Sequence, residues 1–182
     1  MADRTRDINY FYPKPESTGY FEALTQARFS VLKDLQFKSV LDVGSGCCRL
    51  LSWLRESEFT GKYEAVDIRE DALALCDCKT HTSIPKRNKY DLVVFFGTVT
   101  YNIGENHKAN KEVLSQLLAQ AAKSAKKHIV FTVIREDRLQ GLSKLQMVGY
   151  SREEVEDLAS AMGTFKIIEN VDPDEYVVVV DL

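Results

Sequence analysis

The sequence lacks the features of several protein classes. No apolar run in its 182 residues approaches the roughly 20 residues that a membrane-spanning helix needs. Residues 1–7 have no apolar core of the kind found in secretory signal peptides. There is no basic excess, since the formal net charge is −3, which argues against a domain that coats nucleic acid electrostatically. With no internal repeat or low-complexity stretch, we expect one cytoplasmic domain.

Cysteine is also scarce, and its spacing is unusual. The four residues are Cys47, Cys48, Cys76 and Cys78, one adjacent pair and one Cys-x-Cys. Zinc sites usually use Cys-x-x-Cys or a longer spacing, so we expect no metal site. The pattern favours small buried thiols beside a ligand cleft in a reducing compartment.

Short apolar runs alternate with amphipathic stretches along most of the chain. The expected strands are Ser39–Val43, Tyr63–Ile68, Ala72–Cys76, Asp91–Phe96, His128–Ile134, Phe165–Asn170 and Tyr176–Val180. The clearest helices are Asn110–Ala125, with one apolar stripe, and a segment that opens with the capping box Ser151 and Glu154. This alternation predicts a parallel sheet with helices on both faces, closed by an antiparallel hairpin. Residues 1–16 are expected to form an irregular arm.

The most informative stretch is a glycine turn at the end of the first apolar run. Gly44, Ser45 and Gly46 follow Asp42, and Asp67 ends the next apolar run. A strand that leads into such a turn lets the backbone approach a nucleotide-like ligand closely. An acid about 20 residues further along can accept hydrogen bonds from the ribose hydroxyls. These residues therefore predict a site for a nucleoside cofactor.

The turn does not fit a dinucleotide site. Such a site has a third glycine in Gly-x-Gly-x-x-Gly, where this chain has Arg49. The acid Asp42 ahead of the glycines is also absent from the dinucleotide motif. A nicotinamide-dependent dehydrogenase is therefore the weaker interpretation of the same residues.

The glycine turn, Asp67 and the acid-led run Asp91–Phe96 occur in the order found in class I S-adenosylmethionine-dependent methyltransferases, which residues 20–182 resemble. The resemblance implies a Rossmann-like three-layer α/β sandwich formed by one domain, residues 17–182. Its mostly parallel, seven-stranded sheet would include an antiparallel C-terminal hairpin strand. The implied cofactor is S-adenosyl-L-methionine. The chain departs from the family at Cys48, where the family has a third glycine.

The resemblance also implies a set of cofactor contacts. Asp77 is interpreted as the acid that ends the third strand, near the adenine amino group. The full expected set is Asp42, Gly44, Ser45, Gly46, Asp67, Ile68, Asp77, Cys78, Phe96 and Gly97.

Methyl transfer from a sulfonium is an in-line displacement, so the protein must align donor and acceptor and exclude water. A general base is optional. The candidates are Tyr101 and His107, which follow the run Asp91–Phe96. Two other interpretations stay open: Tyr101 packs under the following loop, and His107 is solvent-exposed. The aromatic N-terminal arm is either a lid over the cleft or is held to the sheet by its rings.

Missing motifs restrict the methyl acceptor. The chain lacks both the Asn- or Asp-Pro-Pro-aromatic run of nucleobase amino-methylating enzymes and the Pro-Cys pair of cytosine C5 enzymes. We therefore expect a small molecule or a protein side chain as acceptor, with nucleic acid disfavoured. The alternative is a catalytically silent module that binds the cofactor or a partner protein.

Overall fold

The computed structural model describes residues 18–86, 89–100, 102, 106–139 and 147–182. Its helices are α1 (Thr18–Ser30), α2 (Arg49–Glu56), α3 (Glu70–Leu73), α4 (His107–Ser124) and α5 (Arg152–Ser160). Its strands are β1 (Ser39–Val43), β2 (Lys62–Val66), β3 (Lys79–His81), β4 (Tyr90–Phe95), β5 (Ala125–Arg135), β6 (Gly149–Tyr150), β7 (Thr164–Ile168) and β8 (Glu175–Asp181). Within these ranges, no helix combines the length and apolarity of a membrane span.

The strands form one sheet in the order β3-β2-β1-β4-β5-β8-β7. The first five strands of this path are parallel, and β8 pairs antiparallel with both β5 and β7. The predicted mostly parallel sheet with an antiparallel hairpin is confirmed. An eighth strand, β6, pairs with the end of β5 and was not predicted. Its two residues are too few to show a period-2 pattern.

Helices cover both faces of the sheet. On one face, the buried apolar residues of α1 and α2 include Phe29, Leu50 and Leu54. On the other face, α4 contributes Leu114 and Leu118, and α5 packs beside it. Every residue of β4 except Asp91 is buried, as expected for a central strand covered on both sides. The structure is therefore the predicted three-layer α/β sandwich.

Two helix starts show how local sequence sets the element bounds. Ser151 Oγ accepts a hydrogen bond from Glu154 N at 3.2 Å, and Glu154 accepts one from Ser151 N at 3.1 Å, which confirms the capping box of α5. Helix α4 begins three residues before the predicted Asn110, because the Asn106 side chain accepts from Ala109 N and caps it there.

The predicted third strand is wrong. Residues 70–73 form the one-turn helix α3, and the strand lies further on at Lys79–His81. The Asp67 side chain accepts a hydrogen bond from Arg69 N at 2.9 Å, and acids in the first turn then favour a helix. Because a short apolar run fits both a strand and a helix, its pattern could not decide between them. Asp77 consequently precedes β3 instead of ending it.

Candidate active site

The glycine turn lies at the carboxyl ends of β1 and β2. Gly44 N and Ser45 N both donate to Val66 O, at 2.7 and 3.1 Å. Gly44 has φ +75°, and a Cβ on it would lie 2.1 Å from the Thr98 hydroxyl oxygen. That hydroxyl donates to Val43 O at 2.6 Å. The absence of a side chain at Gly44 therefore lets the segment after β4 close onto the end of β1.

Asp67 is joined directly to the glycine turn. Its Oδ2 accepts a hydrogen bond from Gly46 N at 2.8 Å, and its Oδ1 accepts one from Arg69 N at 2.9 Å. The side chain is half-buried, and each carboxylate oxygen has a second lone pair available. Ile68, the next residue, is 87% exposed. The structure thus places an acid and an exposed apolar side chain side by side at the turn.

Asp42 lies beneath the turn. Its side chain is buried and accepts a hydrogen bond from the Tyr63 hydroxyl. Burial raises the pKa of Asp42 to about 7; the Tyr63 hydrogen bond opposes this shift and the Asp67 carboxylate adds to it. Asp42 therefore has a structural place, where it supports the glycine turn from beneath.

Two features around the turn suit a ligand, one a hydroxyl unpaired within the described part of the chain and the other an open backbone position. The Ser45 hydroxyl is buried and has no hydrogen-bond partner among the described residues. Gly97, directly after the half-buried Phe96, has φ +73°, and a Cβ on it would meet no atom within 4 Å. Gly97 N is held by Thr132 Oγ1 at 2.9 Å. A polar group without a partner and an open backbone position are what a polar ligand such as S-adenosylmethionine would use, so the residues present fit that group.

The expectation of free thiols at this site is wrong for two cysteines. Cys48 and Cys76 form a disulfide, whereas Cys47 and Cys78 are free. The one-turn α3 returns the chain within a few residues, which brings Cys76 over the start of α2. Sequence spacing could not show this because the contact depends on how α3 packs. Among the described residues, no three metal-binding side chains are grouped to hold a metal ion.

Asp77 does not lie where the resemblance placed it. It precedes β3, its side chain is 90% exposed, and its carboxylate pairs with Arg55 at 3.1 Å. The residues that follow β3 are Thr82 and Ser83. They line an open cavity of about 700 Å³ together with residues of α3, among them Glu70.

Sequence reasoning missed a buried acid at the same edge of the sheet. Glu175 begins β8 opposite Ile134, near the end of β5, and is 6% exposed. Burial raises its pKa to about 7, although Arg28 opposes the shift. Arg28 also pairs with the buried Asp172 at 2.7 Å. The acids of the run Asp172-Pro173-Asp174-Glu175 were the available signal, but a turn explains such a run equally well.

Of the two candidate catalytic residues, the structure describes His107 only. Tyr101 lies outside the described residues, as does the N-terminal arm 1–16. His107 begins α4, and its Nε2 lies 2.9 Å from Glu154 Oε1 of α5. Its side chain is 45% exposed, and its ring lies 5.6 Å from that of Tyr150. His107 therefore joins α4 to α5.

No protein-family model and no curated protein matches the chain by sequence. Solved structures do match it by shape. The plantazolicin methyltransferase BpumL, in complex with S-adenosylhomocysteine (SAH) and a desmethyl-plantazolicin analogue, has a TM-score of 0.67 and 14% identity, over 98% of this chain and 90% of its own.

Two further structures agree. An S-adenosylmethionine (SAM)-dependent methyltransferase from Archaeoglobus fulgidus has a TM-score of 0.67 and 17% identity, over 87% of this chain and 93% of its own. Magnesium protoporphyrin IX methyltransferase from Synechocystis, with bound SAM, has a TM-score of 0.63 and 13% identity, over 90% of this chain and 80% of its own. This chain therefore has the class I fold of the SAM-dependent methyltransferases.

Proposed function

We propose that the chain binds SAM at the glycine turn and transfers its methyl group to a small-molecule acceptor. The observation that carries the proposal is the hydrogen bond from Gly46 N to Asp67 Oδ2, at 2.8 Å. It joins the two segments that a nucleoside site needs, at the carboxyl edge of the sheet where open α/β folds bind ligands.

The contacts divide between the parts of the cofactor. Asp67 would accept hydrogen bonds from the ribose hydroxyls through its remaining lone pairs. The exposed side chain of Ile68 offers an apolar face to the adenine ring. The Ser45 hydroxyl and the open backbone at Gly97 would serve the methionine part. Gly44, Gly46, Cys78 and Phe96 complete the proposed set of contacts, and the buried Asp42 supports the turn from beneath. Asp77 is left out because its exposed carboxylate pairs with Arg55.

Methyl transfer from SAM requires the protein mainly to position the donor and the acceptor. When bound, SAM supplies a methyl group on a sulfonium, which is activated without help from an acid. The chain would hold the acceptor in line with that methyl, at the carboxyl ends of β4 and β5 and the beginning of β8, and would exclude water. Tyr101 remains the proposed acceptor contact. The contact of His107 with Glu154 fits a link between helices better than a general base.

A small acceptor is favoured by two observations. The described residues contain no inserted substrate domain, and two of the three named neighbours are a plantazolicin and a magnesium protoporphyrin methyltransferase. A protein side chain is the second acceptor class to assay. The alternative is a silent module, which binds SAM but does not transfer the methyl group.

Calorimetry with SAM, SAH and NAD tests the cofactor. We expect both sulfur nucleosides to bind and NAD not to bind. Asp67→Ala should weaken SAH binding by about 10- to 100-fold, since hydrogen bonds to a charged group are lost. The matched control is Asp157→Ala, an exposed aspartate on α5, which should bind like the wild type. Failure of the wild type to bind either sulfur nucleoside would overturn the proposal.

Turnover is measured separately. Wild-type protein with SAM labelled in the methyl group is incubated with fractionated metabolites, peptides and RNA, and label is followed into each fraction. We expect label in the metabolite fraction. Binding of SAM with no labelled product in any fraction would instead support the silent module.

A further inference from the structure

Three of the four cysteine sulfurs converge beside the glycine turn. Cys48 and Cys76 form a disulfide, and Cys78 Sγ lies 4.0 Å from Cys48 Sγ. Cys48 is buried, whereas Cys76 and Cys78 are half-buried. A free thiol therefore lies close to one sulfur of the disulfide, and the other cysteine of the disulfide, Cys76, is partly exposed.

The disulfide joins two segments of the candidate cofactor site. Cys48 closes the glycine turn, because its N–H donates to Ser45 O at 2.9 Å and its carbonyl accepts the bond from Leu51 N that begins α2. Cys76 follows α3, and its Sγ lies 3.5 Å from Gly46 O. Gly46 is the residue whose N–H bonds to Asp67. The disulfide thus ties the turn to the segment that follows Asp67.

We propose that Cys48, Cys76 and Cys78 form a thiol–disulfide exchange site whose state controls the affinity of the glycine turn for the cofactor. The exchange itself is independent of the function proposed above. Its coupling to affinity rests on that function.

The internal exchange needs no co-reactant. The Cys78 thiolate attacks Cys48 Sγ, a Cys48–Cys78 bond forms, and the Cys48–Cys76 bond breaks. Cys76 leaves as a thiolate and takes up the proton that Cys78 released, so there is no net oxidation. Full reduction takes a dithiol, which attacks the sulfur of the half-buried residue Cys76, supplies two electrons and two protons, and becomes a disulfide itself.

The charges around Cys78 set its pH dependence. Burial raises the pKa of Cys78, and the nearby Asp42 on β1 raises it further. Arg55 on α2 opposes this shift, the neighbouring Asp77 adds to it, and the Tyr63 hydroxyl on β2 also faces the thiol. Because the thiolate is the attacking form, the internal exchange should be slow at neutral pH and faster at higher pH.

The state of the site should change how firmly the turn is held. With Cys48 bound to Cys76, the turn and the segment after α3 are held together across Asp67. Exchange moves the link two residues towards β3, and reduction removes it. We expect reduced protein to bind SAH at least about fivefold more weakly than oxidised protein, the lower end of typical coupling between sites.

Peptide mapping tests the exchange without any activity assay. Cleavage before aspartate yields residues 42–66 with Cys48, residues 71–76 with Cys76, and residues 77–90 with Cys78. A Cys47→Ser background leaves a single cysteine in the first peptide. Protein purified without reductant is held at neutral or alkaline pH, quenched in acid, blocked with a maleimide and mapped by mass spectrometry.

We expect peptide 42–66 linked to 71–76 at first, and a second species linked to 77–90 that grows faster at alkaline pH. Cys78→Ser should keep the first species and abolish the second. Cys76→Ser should give the second species alone. Free thiols in all three peptides, or a first species that never exchanges, would overturn the proposal.

Calorimetry with SAH, before and after treatment with dithiothreitol, tests the coupling. In the Cys47→Ser background, the double variant Cys76→Ser/Cys78→Ser leaves Cys48 as the only cysteine, so its affinity should not respond to the reductant. Equal affinity of oxidised and reduced wild type would overturn the coupling alone. If neither form binds SAH, the proposed function fails, and the coupling with it, whereas the peptide map still decides the exchange.

Discussion

Gly44 and Gly97 share a left-handed backbone, with φ +75° and +73°, but have different surroundings. A Cβ on Gly44 would strike the Thr98 side chain, whereas a Cβ on Gly97 would point into open space. We expect Gly44→Ala to lower the free energy of unfolding by about 3 kcal/mol, from backbone strain and overpacking together. Gly97→Ala should cost only about 1 kcal/mol, from strain alone.

The two variants should separate again in ligand binding. Because the alanine methyl at position 97 would occupy the space offered to a ligand, Gly97→Ala should weaken SAH binding although the protein stays folded. Urea unfolding and calorimetry on the same samples measure both effects. Equal loss of stability in the two variants would contradict this assignment.

The raised pKa of Asp42 predicts a pH-dependent stability. Folded protein holds the Asp42 proton up to about pH 7, whereas unfolded chain releases it near the ordinary value of 3.8. The stability contributed by that proton is therefore lost as pH rises through this window. Relative to wild type, Asp42→Asn should gain stability on the order of 4 kcal/mol between pH 4 and pH 7, at about 1.4 kcal/mol per unit.

Denaturant unfolding at closely spaced pH values measures the difference between the two curves. Tyr63→Phe serves as the companion variant. It removes a hydrogen bond that lowers the pKa of Asp42, so its stability should continue to fall above pH 7. A constant difference between wild type and Asp42→Asn across the window would contradict the raised pKa.

At the residue scale, sequence spacing predicted the contacts that form directly at the ends of predicted strands. Gly44, Gly46 and Asp67 meet in the structure as their order along the chain predicts. The position of Asp77 and the bond between Cys48 and Cys76 depend on the bounds of α3 and β3, which no local spacing sets.

At the element scale, Arg28 connects helix α1 to the hairpin between β7 and β8. Its guanidinium lies 2.7 Å from Asp172 and 3.0 Å from Glu175, and both acids are buried. Arg28→Met should cost about 3 kcal/mol at pH 7.5, because two buried carboxylates lose their counter-charge. The loss should shrink at pH 5.5, where Glu175, with its pKa raised to about 7, is already neutral.

Thermal and denaturant unfolding at the two pH values measure this effect. Arg28→Lys keeps the charge and should lose less, and Glu175→Gln combined with Arg28→Met should recover part of the stability at pH 7.5. An Arg28→Met loss that is the same at both pH values would show that Glu175 is not the affected partner.

The elements that could be predicted are those with long, regular patterns. The apolar stripe along α4 has the helical period, and the apolar run of β4 is rich in valine and phenylalanine, which favour a strand. Both elements are present. The strand predicted at Ala72–Cys76 was wrong, because so short an apolar run suits either a helix or a strand. Tertiary packing decides there, and the hydrogen bond from Arg69 N to Asp67 contributes.

At the scale of the whole molecule, the sheet order follows from chain order together with short, right-handed connections. Alternating elements were therefore sufficient to predict three layers and the antiparallel hairpin. They gave no signal for the two-residue strand β6, which pairs in parallel with Ile134 and Arg135 of β5. The candidate site belongs to the predictable part of the fold, since it lies where β1 and β2 end.

The short strand β3 makes one edge of the sheet locally unstable. It has three residues, lies at the end of the sheet and pairs with β2. Asp67 N donates to His81 O at 3.1 Å, so local unfolding of β3 also releases the backbone of Asp67. In hydrogen–deuterium exchange, amides of β3 should exchange long before those of β5, and SAH should slow exchange over residues 67–81 while leaving α5 unchanged. Bound ligand would then stabilise the edge strand β3 against local unfolding. Equal exchange rates in β3 and β5 would contradict the low stability of β3.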